Sequence, residues 1–204
     1  MLIDAYNEDL CTSTLVLSLD LSCSPFRAMA LDTNSTLWDF KTPERPYRLV
    51  SPLLECSSPE TTPIQVQCTV VFSAVLMRSG DAYLWPMHNE DMVKHRDESK
   101  KAIVPDDGTV VPCHTWEINV DLIKLPSLPD LPDLPMTGLP GEERRKKTKL
   151  IKIATCFTSV IGLTNKGHVL KADGSFGEEG PPWAWDYVSE SAWIIWHLFL
   201  NRNM

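Results

Sequence analysis

Glycine is scarce in this sequence, and long apolar segments are absent. Only nine of the 204 residues are glycine, against sixteen prolines, and the first glycine is Gly80. The connecting segments are therefore predicted to be extended and stiffened by proline. The longest apolar run, at residues 192–200, is too short to cross a bilayer, which needs about 20 residues. We expect a protein that does not bind membranes.

The sequence also lacks a basic surface and a cysteine framework. Its formal net charge is −8, whereas nucleic-acid binding needs a face rich in lysine and arginine, so no nucleic-acid partner is predicted. The six cysteines include no C-x-x-C pair, and acidic residues stand where a signal peptide would carry basic ones. This pattern indicates a cytoplasmic protein with reduced thiols, and the basic run at 144–147 leaves a nuclear location open.

The motifs of common enzymes and metal centres are missing as well. No nucleophile elbow, Walker loop, dinucleotide fingerprint or His-Glu-x-x-His sequence occurs. Cys113 and His114 are adjacent and would point to opposite faces of a strand, so they are not expected to share a metal ion. Cys156 is predicted to be a buried, unreactive thiol. We therefore predict no catalytic residue, no cofactor and no metal.

One sequence pattern occurs three times. Residues 66–85 contain an apolar strand at 72–77, a turn at 78–81 and a second apolar strand after it. Residues 21–40 and 153–172 align with this segment without gaps. Three copies predict an all-β fold built from repeated antiparallel hairpins.

The turn of each copy has a residue suited to positive φ. Gly80 and Gly167 occupy the same place in two copies, and glycine adopts positive φ without steric cost. Ser35 replaces the glycine in the first copy, where the preceding Asn34 can also take the left-handed conformation.

A long insertion, residues 86–149, separates the second and third copies. Residues 115–122 alternate between apolar and polar, which predicts a half-buried strand. Residues 125–141 carry a proline at every third position from 126 to 135 and another at 140. They are predicted to be polyproline-like, either as a spacer on the rim of the fold or as a ligand for another domain. After the third copy, three aromatic residues alternate with period two and are predicted to be core, with a recognition patch as the alternative: Trp183, Trp185 and Tyr187.

The repeated strings resemble a known family. FSAVLMRSGDAYLW at 72–85 and SVIGLTNKGHVLK at 159–171 are similar to the repeat of the regulator of chromosome condensation proteins. Within that superfamily, the chain is most similar to the fungal F-box proteins called SCF-associated factors. The strings that carry this likeness are TPIQVQC at 62–68, LPDLPDLP at 128–135 and KLIKIATCFTSVIGLTNKGHVLK at 149–171.

The resemblance implies a fold and a domain arrangement. It implies a partial β-propeller of about three degenerate antiparallel blades with long proline-rich loops, over residues 1–190. Residues 191–204 match no repeat and are expected to form an anomalous apolar tail. No F-box pattern is visible, so a fragment without the F-box is expected.

The resemblance also implies a function. It implies a non-catalytic protein-interaction module, for substrate recognition or scaffolding linked to an SCF-type ubiquitin ligase, with ligase subunits or substrates as partners. A guanine-nucleotide exchange regulator of a small GTPase and a truncated product without independent function are the alternatives. Candidate contact residues lie at the predicted turns: Asn34, Arg78, Asp81, Asn165 and Lys166.

Overall fold

The residues that the structure describes form β-sheets with almost no helix. The computed structural model describes residues 2–7, 12–42, 45–54, 58–87, 116–134, 147–176 and 180–188. In these ranges the one helix is the short 3-10 turn Pro59–Thr61, so the all-β prediction is confirmed. The predicted tail at 191–204 and the pair Cys113 and His114 lie outside the described residues.

The chain divides into two compact units, Met1–Lys124 and Leu125–Met204. The described strands of unit 1 are β1 Leu2–Asn7, β2 Thr12–Ser24, β3 Arg27–Asp32, β4 Leu37–Thr42, β5 Arg45–Val50, β6 Pro63–Cys68, β7 Phe72–Met77, β8 Ala82–Pro86, β9 Trp116–Asn119 and β10 Ile123–Lys124. Those of unit 2 are β11 Leu150–Cys156, β12 Ser159–Thr164, β13 Val169–Asp173 and β14 Ala184–Tyr187.

The described strands of unit 1 form two sheets. Their strand orders are β1-β2-β3-β4-β5-β9 and β10-β8-β7-β6. Neighbouring strands are antiparallel except β5 and β9, which run parallel. Strand β9 confirms the predicted half-buried strand in residues 115–122, since Ile118 and Val120 are buried and Asn119 and Asp121 are exposed.

The described strands of unit 2 form one antiparallel sheet in the order β11-β12-β13-β14. Each strand therefore pairs with the next strand in the chain, as in a meander. Antiparallel sheets of four strands are the units from which β-propellers are made.

The three predicted hairpins occur in the same register. They are β3–β4, β7–β8 and β12–β13. In each, the N–H group of the last residue of the first strand donates to a carbonyl on the far side of the turn, and the three pairs are Asp32 to Thr36, Met77 to Asp81 and Thr164 to His168. A second turn bond also repeats, from Ser35 to Asp32, from Gly80 to Met77 and from Gly167 to Thr164.

The approach strand of each copy has the same irregularity. The register shifts between Ser18 and Asp20 in β2, between Pro63 and Gln65 in β6, and between Leu150 and Lys152 in β11. These positions coincide when the three copies are aligned. A β-bulge bends a strand and increases its twist, so the three copies share a backbone shape as well as a sequence pattern.

Each turn places its left-handed residue at the same position. The φ angles are 64° at Ser35, 93° at Gly80 and 90° at Gly167. Ser35 itself therefore takes the left-handed conformation, and the predicted alternative, Asn34, does not take it. The Asp32 carboxylate supports this turn, because its Oδ1 accepts the backbone N–H groups of Asn34 and Thr36, both at 2.8 Å.

Residues from both sheets build the core of unit 1. Strand β7 is buried along its whole length, which fits a strand covered on both faces. The main cluster consists of Met29, Leu31, Leu37, Tyr47, Leu49, Val66, Cys68, Val75, Met77, Trp85, Ile118 and Val120.

Replacing Ser35 with glycine is expected to stabilise unit 1. A residue with a Cβ pays about 1–2 kcal/mol in the left-handed region, and the extra freedom of glycine in the unfolded chain offsets part of that gain. We expect the free energy of unfolding, measured by urea denaturation, to rise by up to about 1 kcal/mol. Ser79→Gly is the matched control, because its hydroxyl accepts the N–H of Asp81 at 3.2 Å and its loss should destabilise. A loss of stability in Ser35→Gly would contradict the left-handed conformation of this residue.

Candidate protein-binding site

The hairpin turns of unit 1 present two of the predicted contact residues. Asn34 and Arg78 both have exposed side chains. The backbone N–H of Asn34 donates to Asp32 Oδ1 at 2.8 Å, and that of Arg78 donates to the carbonyl of Thr62 at 2.9 Å. The backbone of each turn is therefore fixed, while its polar side chain faces the solvent.

Asp81 lies at the same end of the sheet but has an internal partner. Its Oδ2 is 2.9 Å from Lys124 Nζ, and both side chains remain partly exposed. The hydrogen bond to Asp81 raises the pKa of Lys124, and the ammonium also lies 5.9 Å from the centre of the Tyr83 ring. Sequence reasoning missed Lys124, because it lies within the long insertion, far along the chain from the turn that it joins.

The two predicted contact residues of unit 2 are buried. Asn165 Oδ1 accepts the N–H of Lys149 at 3.0 Å, and its Nδ2 donates to the carbonyl of Lys147 at 3.1 Å. Lys166 Nζ forms an ion pair with Asp133 Oδ1 at 2.7 Å. These side chains therefore hold the β12–β13 turn against neighbouring segments of the same unit.

Sequence reasoning missed a set of exposed apolar side chains at the opposite ends of the same strands. The short turn between the first two strands of each copy carries one of them. They are Phe26, 67% exposed, Val71, 40% exposed, and Phe157, 73% exposed. Phe26 and Val71 align in the repeat, and Phe157 lies one position earlier. The recurrence of an apolar residue at this turn in the aligned copies could have predicted these side chains.

In unit 1, the turns that carry Phe26 and Val71 are neighbours. The N–H of Cys68 donates to Ser22 Oγ at 3.0 Å, and the Cys68 thiol lies 3.9 Å from the carbonyl of Arg27. The ends of β2 and β6 are therefore in contact just before the two turns. Phe26 and Val71 are thus two exposed apolar side chains on turns whose preceding strands are in contact.

The cysteines differ from the prediction in one respect. Cys156 is exposed, so the prediction of a buried thiol is wrong: the residue ends strand β11 at the turn, where the sheet no longer covers it. Cys68 is buried, and its thiol donates to the carbonyl of Ser22 at 3.3 Å. Burial raises the pKa of Cys68, which keeps it protonated at neutral pH. Cys23 is exposed.

Alkylation should separate these thiols. At neutral pH, iodoacetamide is expected to modify Cys23 and Cys156 at least about tenfold faster than Cys68, because the thiolate is the reactive form and access is needed. Peptide mapping by mass spectrometry measures each site separately, and the urea-unfolded chain is the control in which the three rates converge. Equal rates in the folded chain would contradict the burial of Cys68.

The aromatic residues near the end of the described chain do not form a single core cluster. Trp183 is buried, Trp185 is half-buried and Tyr187 is 62% exposed. The prediction of core residues is therefore wrong for Tyr187. It belongs to β14, which is the edge strand of its sheet, so no further strand in the described sheet covers it.

The described residues contain no group of three or more His, Cys, Asp or Glu side chains arranged to hold a metal ion. Within the same ranges, no helix has the length and apolarity needed to cross a membrane.

Comparison with known proteins gives structural likenesses only. No protein-family model matches the chain, and no curated protein matches it. Yeast RCC1 (Prp20) bound to Kap60 is similar over 75% of this chain and 31% of that protein, with 14% identity and a TM-score of 0.40. Human WBSCR16 is similar over 78% of this chain and 34% of that protein, with 14% identity and a TM-score of 0.43. Prp20p from Saccharomyces cerevisiae, whose structure is described with its binding to Gsp1p and histones, is similar over 75% of this chain and 31% of that protein. The identity is 14% and the TM-score is 0.41. The chain therefore spans about a third of the length of each of these proteins.

Proposed function

We propose that this chain is a non-catalytic protein-binding module that recognises substrates or holds partners for an SCF-type ubiquitin ligase. The observation that carries the binding role is the exposed apolar side chain at the first turn of all three copies. The resemblance of residues 62–68 and 149–171 to SCF-associated factors supports the link to the ligase.

Apolar side chains on short turns suit protein recognition. Phe26 lies in the turn between β2 and β3, and Phe157 in the turn between β11 and β12, so the neighbouring sheet fixes the backbone that presents each ring. Aromatic side chains contribute most when a partner desolvates them, about 1.5–3 kcal/mol for a fully buried Phe. Little ordering entropy is lost, because the turns are already held in place.

The opposite ends of the same strands provide a second, polar surface in unit 1. Asn34, Arg78 and Asp81 are its predicted contact residues, and we retain them in the proposal. Asn165 and Lys166 have a different role in the proposal, because they fix the corresponding turn of unit 2. A polar surface of this kind adjusts specificity and association rate more than affinity.

An affinity purification with matched variants tests the proposal. The tagged full chain is used as bait in native cell extract, and the recovered proteins are identified by mass spectrometry. The apolar-turn variant carries Phe26→Ser, Val71→Ser and Phe157→Ser. The control carries Leu53→Ser, Ile64→Ser and Ile123→Ser, three exposed apolar residues that lie outside those turns.

We expect a Skp-type adaptor and a cullin to be recovered with all three baits. At least one further protein should be recovered with the wild type and the control, and lost with the apolar-turn variant. Absence of adaptor and cullin would contradict the ligase role. Identical recovery with all three baits would contradict binding through the apolar turns. Accelerated nucleotide release from a recovered GTPase would replace the ligase role by an exchange role.

A further inference from the structure

The proline-rich segment 125–134 has a leucine at every third position. Leucines at this spacing share one face in a polyproline helix, which has three residues per turn, and they are Leu125, Leu128, Leu131 and Leu134. Leu125 and Leu131 are buried, whereas the prolines that follow them are exposed. The segment belongs to no described helix or strand. Of the other two leucines, Leu128 is half-buried and Leu134 is 39% exposed.

Two ring nitrogens of the unit 2 sheet contact carbonyls of this segment. Trp185 Nε1 donates to the carbonyl of Pro126 at 2.8 Å, and His168 Nε2 lies 2.7 Å from the carbonyl of Pro132. A carbonyl only accepts, so the histidine nitrogen is the donor. Polyproline segments make no internal hydrogen bonds, and aromatic surfaces with such donors recognise them in proline-rich peptide complexes.

Three further polar contacts set the register of the segment. The N–H of Leu131 donates to Thr148 Oγ1 at 3.1 Å, and the N–H of Leu134 donates to the carbonyl of Lys166 at 3.0 Å. Asp133 forms the 2.7 Å ion pair with Lys166 described above. Each residue from Leu131 to Leu134 therefore has a polar contact with a residue of unit 2 outside the segment.

The receiving groups are held by the sheet. The His168 ring packs edge-on against Tyr187, with ring centres 5.8 Å apart. The backbone N–H of His168 donates to Thr164 Oγ1 at 3.0 Å. The Lys166 side chain is only 10% exposed, while that of Asp133 is 43% exposed. His168 is thus held by other residues of unit 2, and Lys166 supplies one positive charge for one acidic side chain.

We propose that Thr148, Lys166, His168 and Trp185 form a binding site for extended peptides of Leu-Pro-Asp sequence, and that residues 125–134 occupy it in cis. The ligand in trans is a partner protein with leucine, proline and an acidic residue in that order. The triad Leu-Pro-Asp occurs twice here, at 128–130 and 131–133. Only the second triad uses its aspartate, since Asp130 is exposed and Asp133 meets Lys166.

Occupation in cis makes the site testable with a free peptide. The probe is a fluorescein-labelled peptide of residues 125–134, and its binding to the full chain is measured by fluorescence anisotropy. In the wild type, the cis segment competes and lowers the apparent affinity. In the double variant Leu131→Ser with Asp133→Lys, the cis segment loses its anchor and its ion pair. We expect the peptide to bind this variant at least about tenfold more tightly than the wild type.

Receptor variants and altered peptides provide the controls. In the double-variant background, Lys166→Met and Trp185→Phe should each weaken binding at least about fivefold, through the lost ion pair and hydrogen bond. Lys152→Met removes an exposed charge of β11 and should leave binding unchanged. A peptide with lysine in place of both aspartates, or with the same residues scrambled, should bind at least about tenfold more weakly.

The outcomes separate the proposal from its rivals. Equal peptide affinity for the wild type and the double variant would overturn it, and so would equal binding of the scrambled peptide. Asp133→Lys alone changes one partly exposed side chain and guards against misfolding of the double variant. It should tighten peptide binding about threefold, and no change in that folded variant would also overturn the proposal.

Discussion

Asp39→Ala is expected to lower the free energy of unfolding by about 3–5 kcal/mol, because it leaves the Arg27 charge buried without its partner. Both side chains are fully buried. Arg27 Nε donates to Asp39 Oδ1 at 3.2 Å, and Arg27 Nη2 contacts the other carboxylate oxygen. Arg27 Nη1 has no hydrogen-bond partner in the part of the chain that the structure describes, so this nitrogen offers no hydrogen bond that could compensate for the loss of Asp39.

The repeat itself supplies the compensating variant. Arg27 and Asp39 align with Phe72 and Leu84 of the second copy, and both of those residues are fully buried. Because hydrophobic residues often replace a buried ion pair without loss, Arg27→Phe with Asp39→Leu is expected to return to within about 1 kcal/mol of the wild type. Lys171→Met, in the partly exposed pair with Asp173, is the control and should cost about 1 kcal/mol at most.

Urea denaturation measures all of these variants in the same way. A cost below about 1 kcal/mol for Asp39→Ala would mean that the charge is solvated in the folded protein and that the ion pair is not buried. If Arg27→Phe with Asp39→Leu is as unstable as Asp39→Ala, the apolar pair of the second copy cannot replace the ion pair in the first copy.

Asp32→Ala is expected to lower the free energy of unfolding by about 2–4 kcal/mol, because three donors lose a charged acceptor. Besides the two backbone N–H groups of its turn, the carboxylate accepts the indole N–H of Trp38 at 2.9 Å. Both Asp32 and Trp38 are buried. Water therefore cannot fully replace the lost acceptor.

Two matched variants identify the cause of this loss. Asp32→Asn keeps one acceptor oxygen and should cost roughly half as much as the alanine variant. Asp121→Ala removes an exposed aspartate of the same unit and should change stability by about 0.5 kcal/mol at most. Equal effects of Asp32→Ala and Asp121→Ala in urea denaturation would show that the carboxylate does not hold the turn.

The fold was most predictable where its hydrogen bonds are local. The predicted strand at 72–77 is β7, and both turn glycines have the expected positive φ. Apolar runs and turn residues carry this information within a few positions. The outer strands β9 and β10 lie within the long insertion, and their pairing depends on the packing of distant segments. The parallel pairing of β5 with β9 therefore had no local signal.

The candidate site was less predictable, because burial of a turn depends on what covers it. Asn165 and Lys166 stand in a sequence that normally forms a solvated turn. The proline-rich segment covers that turn, and the ion pair of Lys166 with Asp133 joins residues far apart in the chain. Cys156 and Tyr187 are exposed because no other described segment covers them. Cys156 ends β11 at a turn, and Tyr187 belongs to the edge strand β14.

Amide hydrogen exchange measured by NMR tests most directly the claim that three copies of one hairpin build this chain. The relevant amides are those that repeat at each turn: Asp32, Ser35, Met77, Gly80, Thr164 and Gly167. We expect all six to exchange much more slowly than in the unfolded chain, because each donates to a backbone carbonyl of its own hairpin. Unprotected exchange of both amides of one hairpin, with protection in the other two, would contradict the shared repeat.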